Sequence, residues 1–314
     1  MLGLSELRNA PRRARFVAIC LAVIAIGSAA SPVRAGDAQD LEWKPNWRPI
    51  GAWETLALIP MGVEMVLVET QVDPPREPNW RGGILGDELV RNWLSAETPS
   101  FRSTAAKLSD MLFLIGSAAP IVIDVGVVAL AIHQKPDIAL QMFLIDLQSL
   151  FVAGVISLNL EYTVGRARPY VDDCGADGTV RDASGRVLVR CSPGSDTKSF
   201  YSGHAAATAT VAGLTCLQHQ HMPLYGGGIV DLLPCLVTIA VSATTGFGRI
   251  IADMHWTSDV IIGWTIGSLS GYVLPALIHF GFSSRPDSAI QNLRAAPLPL
   301  LFSGGIGLGL AGDF

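Results

Sequence analysis

Apolar runs separated by short polar segments dominate the chain beyond residue 107. Residues 111–132 and 139–160 are each long enough to cross the roughly 30 Å hydrocarbon core of a bilayer, and each run contains one charged residue. Three further apolar segments follow at 204–217, 229–243 and 260–280. The first two of these are short and rich in small residues, which suits close packing between helices. The pattern predicts an all-α, membrane-associated helical bundle, and it leaves open a water-soluble bundle in which the short helices are buried.

The two ends of the chain carry different patterns. Residues 1–35 combine a basic stretch, an apolar stretch and a small-residue segment ending at Ala35, which is the layout of a secretory signal peptide. An uncleaved N-terminal membrane anchor has the same layout, and both alternatives place residue 36 outside the cytoplasm. Near the other end, residues 306–310 alternate apolar side chains with glycine, which predicts a short C-terminal β-hairpin with residues 298–302.

These patterns divide the chain into four regions: residues 1–35, an exported N-terminal region at 36–107, a helical core at 108–280 and a tail at 281–314. The N-terminal region is rich in proline and holds five of the seven tryptophans. Because tryptophan favours the boundary between membrane and water, these rings are expected on the outer membrane surface. Anchoring of the rings in a protein core explains the same composition equally well.

Composition and charge narrow the classes of function. Only 16% of the residues are charged, with 22 Lys and Arg against 27 Asp and Glu, and the mean hydropathy is +0.40. Cleavage after Ala35 would remove five arginines and one glutamate, which makes the exported chain more acidic still. This composition excludes a disordered protein and a basic nucleic-acid binder.

Cysteine usage fits an exported chain. Cys174 and Cys191 flank a polar loop, and a disulfide between them is expected in an oxidising compartment. Two free thiols are the alternative. Cys216 and Cys235 lie in apolar segments and are expected to be buried packing residues.

Three polar clusters interrupt the apolar core, and each lies at the end of a predicted helix. They are Gly165-Arg166-Ala167-Arg168-Pro169 after the second long run, Ser202-Gly203-His204 before the third helix, and Gly248-Arg249 followed by His255 and Asp259 between the last two helices. In an up-and-down arrangement of the helices, all three clusters fall on the same side of the bundle. Each cluster alone is a weak signal, whereas their order and shared side are much more specific.

The residue types of the clusters favour phosphate chemistry. Arginine guanidinium groups bind phosphate oxygens in a two-pronged geometry. Ser202 and Gly203 open a helix whose N-terminal N–H groups can hold the same oxygens. His255 and Asp259 are four residues apart, so they would share a helix face and the carboxylate would orient the imidazole as a nucleophile. His204 would then protonate the leaving oxygen.

The clusters resemble the three signature motifs of the type 2 phosphatidic acid phosphatase superfamily, which also includes bacterial class A acid phosphatases and vanadium haloperoxidases. The family pattern is Lys-x6-Arg-Pro, then Pro-Ser-Gly-His, then Ser-Arg-x5-His-x3-Asp. The chain matches it at Arg168-Pro169, at Ser202-Gly203-His204, and at Arg249 with His255 and Asp259. The resemblance covers roughly residues 108–280, which we therefore expect to be a phosphatase core.

The resemblance implies a role for each matching residue. His255 would be the nucleophile that forms a phosphohistidine, Asp259 its partner and His204 the general acid. The phosphoryl oxygens would be held by Arg168, Arg249, Ser202 and Gly203. No metal ion and no cofactor is implied for the phosphatases, whereas haloperoxidases bind vanadate in the same pocket.

The resulting hypothesis is a metal-independent, exported membrane phosphatase with its active site facing the periplasm or cell exterior. The substrate is expected to be a lipid phosphate or an isoprenyl pyrophosphate, no nucleic-acid partner is expected, and the sequence leaves the oligomeric state unknown. One rival hypothesis is a soluble exported acid phosphatase or haloperoxidase. The other is a catalytically weak lipid-binding or structural membrane protein.

Three positions depart from the family pattern. Glu161 stands in place of the lysine, Tyr201 in place of the proline and Gly248 in place of the serine. Glu161 is the most serious departure, because it replaces a phosphate-binding cation with an anion. We expect Glu161 to pair with Arg166 at the same helix end and to point away from the pocket. Alternatively, Arg166 supplies the missing positive charge.

Overall fold

Helices make up most of the chain that the computed structural model describes, which is residues 41–281, 294–302 and 305–313. The predicted signal peptide lies outside these residues. In chain order the helices are α1 (Ala52–Gln71), α2 (Asp87–Leu94), α3 (Pro99–Pro120), α4 (Pro136–Val164), α5 (Gly203–His221), α6 (Ile229–Ile251) and α7 (Thr257–Ser268). Helix α3 continues as a π-type helix over Ile121–Ile132, and α7 continues in π-type turns over Leu269–Val273 and Ala276–Phe280.

Among the described residues, four helical segments are long and apolar enough to cross a membrane: Pro99–Ile132, Pro136–Val164, Ile229–Ile251 and Thr257–Phe280. The predicted all-α bundle of the membrane type is therefore confirmed. Helix α6 extends well beyond residue 243, where the apolar run ends in the sequence. Thr244 and Thr245 lie in this extension, and their hydroxyls are satisfied inside the bundle because they donate to carbonyl oxygens one turn earlier.

Helix α5 is the central helix of the bundle. It packs against α4, α6 and α7, and its sequence, rich in Ala and Thr, lets these helices approach closely. Gly271, in the continuation of α7, shows how closely, because a Cβ at this position would collide with the carbonyl group of Thr210. The short small-residue segment of the sequence thus forms the centre of the fold.

The outward faces of the bundle are apolar. Large exposed apolar side chains follow α1, α3 and α6, among them Leu56, Ile59, Val63, Leu114, Ile115, Val122, Leu236, Val237 and Ile239. An apolar surface of this extent is typical of a protein that is inserted in a membrane.

The tryptophans of the N-terminal region differ in their exposure. Trp53 is 82% exposed on α1, and Trp93 is exposed on α2. Trp47, in contrast, is buried and its ring contacts Phe280. Anchoring in the protein core therefore applies to Trp47, whereas a position of the exposed rings on the membrane surface stays a prediction.

Four of the cysteines form two disulfides, of which the sequence analysis expected one. The loop between α4 and α5 contains the antiparallel strands β1 (Thr179–Arg181) and β2 (Val187–Arg190), and it is closed by a Cys174–Cys191 disulfide, as predicted. Cys216 and Cys235 also form a disulfide, with a Cα–Cα distance of 4.4 Å, so the expectation of simple packing residues was wrong. Close packing of α5 on α6 brings these two side chains together.

The C-terminal β-hairpin is confirmed by the backbone. Strands β3 (Arg294–Phe302) and β4 (Gly305–Asp313) pair antiparallel, with Leu298 opposite Gly309 and Leu301 opposite Ile306. Both strands are longer than the alternating pattern predicted.

Candidate active site

Three chain segments meet at one end of the bundle, and they carry the three polar clusters. Helix α4 ends at Gly165, whose left-handed conformation (φ 63°) turns the chain so that Arg166 and Arg168 run across the end of the bundle. The second segment is the N-terminus of α5 with Ser202 as its N-cap. The third is the connection between α6 and α7, residues 252–256. The predicted convergence of the clusters on one side is therefore present.

His255 lies in this connection and is 3% exposed. Its Nδ1 lies 2.8 Å from the carbonyl oxygen of Ser199, which can only accept a hydrogen bond, so Nδ1 carries the proton and Nε2 keeps its lone pair. Burial and the nearby guanidinium groups of Arg168 and Arg249 lower the pKa of His255 well below its usual value. The imidazole is thus held neutral, in the tautomer that a nucleophile requires.

Asp259 does not orient His255 directly, which corrects the sequence expectation. Helix α7 begins at Thr257, so His255 precedes the helix and the spacing of four does not place the two side chains on one face. The carboxylate of Asp259 accepts hydrogen bonds from the Ser199 hydroxyl (2.7 Å), from the Trp256 N–H (3.1 Å) and from Arg166. It supports the peptide that holds His255 rather than the imidazole itself.

Arg168 and Arg249 both lie near His255. Arg168 is fixed through its guanidinium, which donates to the carbonyl oxygens of Ser195 (2.9 Å) and Met254 (3.1 Å). Arg249 is almost fully buried near the end of α6. Both guanidinium groups interact electrostatically with His255 and with each other, so together they form a cationic region beside the imidazole.

The start of α5 adds backbone donors and a second histidine. The Ser202 hydroxyl accepts from the Ala205 N–H, and the Gly203 N–H and Arg168 both interact with the carboxyl group of Glu161. His204 is partly exposed, and its Nε2 lies 3.0 Å from Oδ1 of Asp110. Electrostatic interaction of His204 with Arg168, Arg249 and His255 shows that the predicted site residues form one group.

Asp110 is a member of the site that the sequence analysis missed. It lies on α3 and is 57% exposed, and its Oδ1 accepts from Nη1 of Arg249 at 2.7 Å while contacting His204. One carboxylate thus joins the predicted acid to one of the predicted phosphate ligands. The available sequence signal was a carboxylate directly before the long apolar run at 111–132.

Glu161 faces the site, so the expected Glu161–Arg166 pair is wrong. A Cβ placed on Gly203 would lie 3.0 Å from Oε1 of Glu161, and the Gly203 N–H interacts with this carboxyl group. The positively charged groups that interact with the Glu161 carboxylate are those of Arg168 and Lys198. The pairing with Arg166 fails because Gly165 reverses the chain and directs Arg166 to other carboxylates.

Arg166 is also unavailable as a substitute phosphate ligand. Its side chain is completely buried, lies against the rings of Trp80 and Trp256, and pairs with Asp87 and Asp259. This arginine is part of the support beneath the site.

The other two departures from the family pattern have local explanations. Tyr201 is buried and its hydroxyl donates to the carbonyl oxygen of Ala153, so it fills the core beside the site. At Gly248, a Cβ would lie 2.9 Å from the Cβ of Ser109 on α3. A serine here would require α3 to move away from α6.

Comparison with known families agrees with this arrangement. The model of the PAP2 superfamily matches residues 143–282, a range that includes every site residue predicted from the sequence. Residues 143–282 form a PAP2 superfamily domain. This superfamily consists generally of phosphatases, so the PAP2 domain implies phosphatase or phosphoesterase activity in a broad sense. No curated protein and no solved structure gives a significant match to the chain.

Asp110 and helices α1 to α3 lie outside the matched PAP2 range. The structure nevertheless joins them to the PAP2 domain, since Asp110 contacts both Arg249 and His204. The candidate active site therefore extends beyond the family match.

Proposed function

We propose that this protein is a membrane-integrated phosphatase that hydrolyses a phosphomonoester or pyrophosphate of a lipid through a phosphohistidine at His255. The observation that carries the proposal is the convergence of a neutral, buried histidine with two guanidinium groups and a second histidine at one end of an apolar bundle. This combination provides a nucleophile, an anion-binding region and, in His204, a second imidazole for proton transfer. Burial and the nearby Arg249 and Arg168 lower the pKa of His204 to about 4 against the opposing effect of Asp110, so His204 acts as the acid once the negative charge of a bound phosphate offsets the two guanidinium groups.

The reaction follows from these groups in two steps. Arg168, Arg249 and the N-terminal N–H groups of α5 bind the phosphoryl oxygens, and Nε2 of His255 attacks phosphorus. The phosphorus–nitrogen bond forms as the bond to the leaving oxygen breaks, and His204 donates a proton to that oxygen. Water then attacks the phosphohistidine while His204 takes up its proton, which releases inorganic phosphate and restores His255.

A lipid substrate is supported by the position of the site on the bundle. In the part of the chain that the structure describes, four helical segments are long and apolar enough to span a bilayer, and large apolar side chains are exposed on the outside of the bundle. A site at the end of such a bundle lies at the depth of lipid head groups. The same apolar faces argue against the soluble acid phosphatase or haloperoxidase alternative, so vanadate is not part of this proposal.

The side of the membrane is inferred from the loop that joins the end of α4, near Arg168, to the start of α5. This loop, between α4 and α5, carries the Cys174–Cys191 disulfide, and disulfides form in exported compartments. We infer on that basis that the site faces the periplasm or cell exterior; the Cys216–Cys235 disulfide lies between α5 and α6 and does not distinguish the two faces.

One observation favours a second candidate function. The carboxyl group of Glu161 interacts with the Gly203 N–H, which is one of the donors needed for phosphate. A membrane protein with this anion in its site would be a weak enzyme that binds lipid head groups without rapid turnover.

The experiment that tests the proposal is a phosphate-release assay in detergent micelles over a panel of lipid monophosphates, lipid pyrophosphates and an aryl phosphate. We expect turnover of at least one lipid substrate, unchanged by a chelator of divalent metals, and its loss in His255→Ala. His221→Ala, at the opposite end of α5 from His204, is the matched control and is expected to keep its activity. Loss of activity on chelation, or full activity in His255→Ala, would contradict the mechanism.

A further inference from the structure

Helix α2 lies outside the matched PAP2 range, yet one of its side chains reaches the start of α7. Asp87, the first residue of α2, is almost completely buried. Its Oδ1 accepts from the Ser258 N–H at 2.8 Å, and its Oδ2 accepts from the Ser258 hydroxyl at 2.7 Å. Burial opposes ionisation of Asp87, but hydrogen bonds from Ile84, Ser258 and Arg166 outweigh it and lower the pKa.

Arg166 connects Asp87 to the support of the active site. Its Nη2 donates to Asp87 at 2.9 Å, and its Nη1 donates to Asp259 and, at 2.9 Å, to the Ser258 hydroxyl. The ring of Trp80 lies 4.0 Å from the guanidinium carbon, which encloses the group on one face. A guanidinium without access to water requires these carboxylates to compensate its charge.

A continuous line of hydrogen bonds leads from this arginine to the nucleophile. Asp259 accepts from Arg166 on one oxygen and from the Ser199 hydroxyl on the other, at 2.7 Å. The carbonyl oxygen of the same Ser199 accepts from Nδ1 of His255 at 2.8 Å. All five residues of the line, Asp87, Arg166, Asp259, Ser199 and His255, are buried.

We propose that Asp87 is a positioning residue of the active site, which holds His255 in its reactive tautomer through Arg166, Asp259 and Ser199. Asp87 touches no reacting atom, and its action depends on the geometry that it imposes on Arg166. Without its charge, Arg166 is compensated by Asp259 alone, and Asp259 is drawn from the Ser199 hydroxyl toward the guanidinium. The Ser199 carbonyl then shifts, and the Nδ1–H tautomer of His255 loses its fixed acceptor.

This inference assigns a function to the N-terminal region, where the sequence shows no chemistry. Because the inference rests on the proposed phosphatase mechanism, its test needs one measurement that requires no turnover. The tautomer of His255 is such a measurement, since the ¹⁵N spectrum of histidine distinguishes the two neutral forms.

The experiment compares Asp87→Asn with Glu88→Gln, the same chemical change on the next, exposed residue of α2. In Asp87→Asn we expect kcat to fall by about tenfold or more, while KM and inhibition by inorganic phosphate change by less than about twofold. The His255 signal, assigned by its loss in His255→Ala, is expected to change from the Nδ1–H form to a mixture. Glu88→Gln is expected to match the wild type in both measurements.

A second pair of variants covers the case in which Asp87→Asn does not fold. Ser258→Ala removes the hydroxyl that bridges Arg166 and Asp87, and Thr257→Val removes a neighbouring buried hydroxyl without a hydrogen-bond partner among the described residues. We expect a reduced kcat and a mixed His255 tautomer in Ser258→Ala only.

The outcomes separate the inference from the proposed function. If the wild type hydrolyses no phosphate ester, the proposed function fails, and the ¹⁵N spectra still test the line of hydrogen bonds. If the wild type is active and Asp87→Asn and Ser258→Ala keep both the wild-type kcat and a single His255 tautomer, the positioning role of Asp87 is wrong.

Discussion

Replacement of Glu161 by glutamine is expected to tighten the binding of inorganic phosphate. The carboxyl group of Glu161 interacts with the Gly203 N–H, and its Oε1 lies 3.0 Å from the position that a Gly203 Cβ would occupy. A phosphate held by that N–H would compete with the carboxylate for the donor and would also be repelled by its charge. The substitution keeps the shape of the side chain and removes the charge.

The magnitude follows from the separation of the two anions. For an assumed separation of about 5 Å between a phosphorus atom bound at the Gly203 amide and the carboxylate, two unit charges repel by about 3 kcal/mol at an effective dielectric constant of about 20. This energy corresponds to about a hundredfold change in affinity. Arg168 and Lys198 also interact with the carboxylate and offset part of the repulsion. We therefore expect a gain of about tenfold or more in Glu161→Gln, and a larger one in Glu161→Lys.

The assay is the inhibition constant of inorganic phosphate against aryl phosphate hydrolysis, at mildly alkaline pH so that the carboxyl group is ionised. Asp137→Asn is the matched control, because Asp137 is exposed at the other end of the same helix α4. An inhibition constant within about twofold of the wild type for both Glu161 variants would refute the placement of this carboxylate in the site.

Three further predictions concern other parts of the structure. Asp110→Asn should slow hydrolysis of alkyl phosphates more than that of aryl phosphates, because the carboxylate stabilises the protonated His204 that a poor leaving group needs; equal effects on the two rates would argue against His204 as the acid. Because the pKa of His255 is lowered, kcat/KM should not fall through protonation of the nucleophile as the pH decreases past 6.5. A decrease in kcat/KM centred at that pH, without a matching decrease in substrate binding, would contradict the neutral, buried form of His255. Loss of the Cys174–Cys191 bridge in a double serine variant should lower the free energy of unfolding by ~3 kcal/mol, measured by denaturant titration, whereas an unchanged value would mean that the loop is held by other contacts.

The convergence of the catalytic clusters could be predicted from the sequence because each cluster lies at the end of an apolar helix. Once the helices alternate in direction, Arg168, His204 and Arg249 must meet at one end of the bundle, whatever the details of packing. The C-terminal hairpin was equally accessible, since the alternation of apolar residues with glycine is a local signal. These features depend on helix and strand periodicity alone.

Contacts between distant segments could not be predicted in the same way. Asp110 and His204 are separated by 94 positions, and no local pattern connects them. The Cys216–Cys235 bridge depends on the rotation of α5 against α6, which the apolar pattern leaves undefined because both helices are apolar on several faces.

The two wrong residue pairs arose because the boundaries of helices α7 and α4 differ by about one turn from those assumed. The expected His255–Asp259 pair assumed a helix that includes both residues, whereas α7 begins at Thr257. The expected Glu161–Arg166 pair assumed a helix that continues past Gly165, whereas α4 ends there in a left-handed residue. In both cases the local backbone, rather than residue type, decided which groups came together.

The most direct test of the account is to trap the covalent intermediate. Wild-type protein is mixed with a ³²P-labelled lipid phosphate, quenched during turnover, and digested for peptide mapping. The account predicts label that is stable in base, labile in acid and confined to the peptide containing His255, with no label in His255→Ala. Turnover without any base-stable label, or a label on another residue, would contradict His255 as the nucleophile.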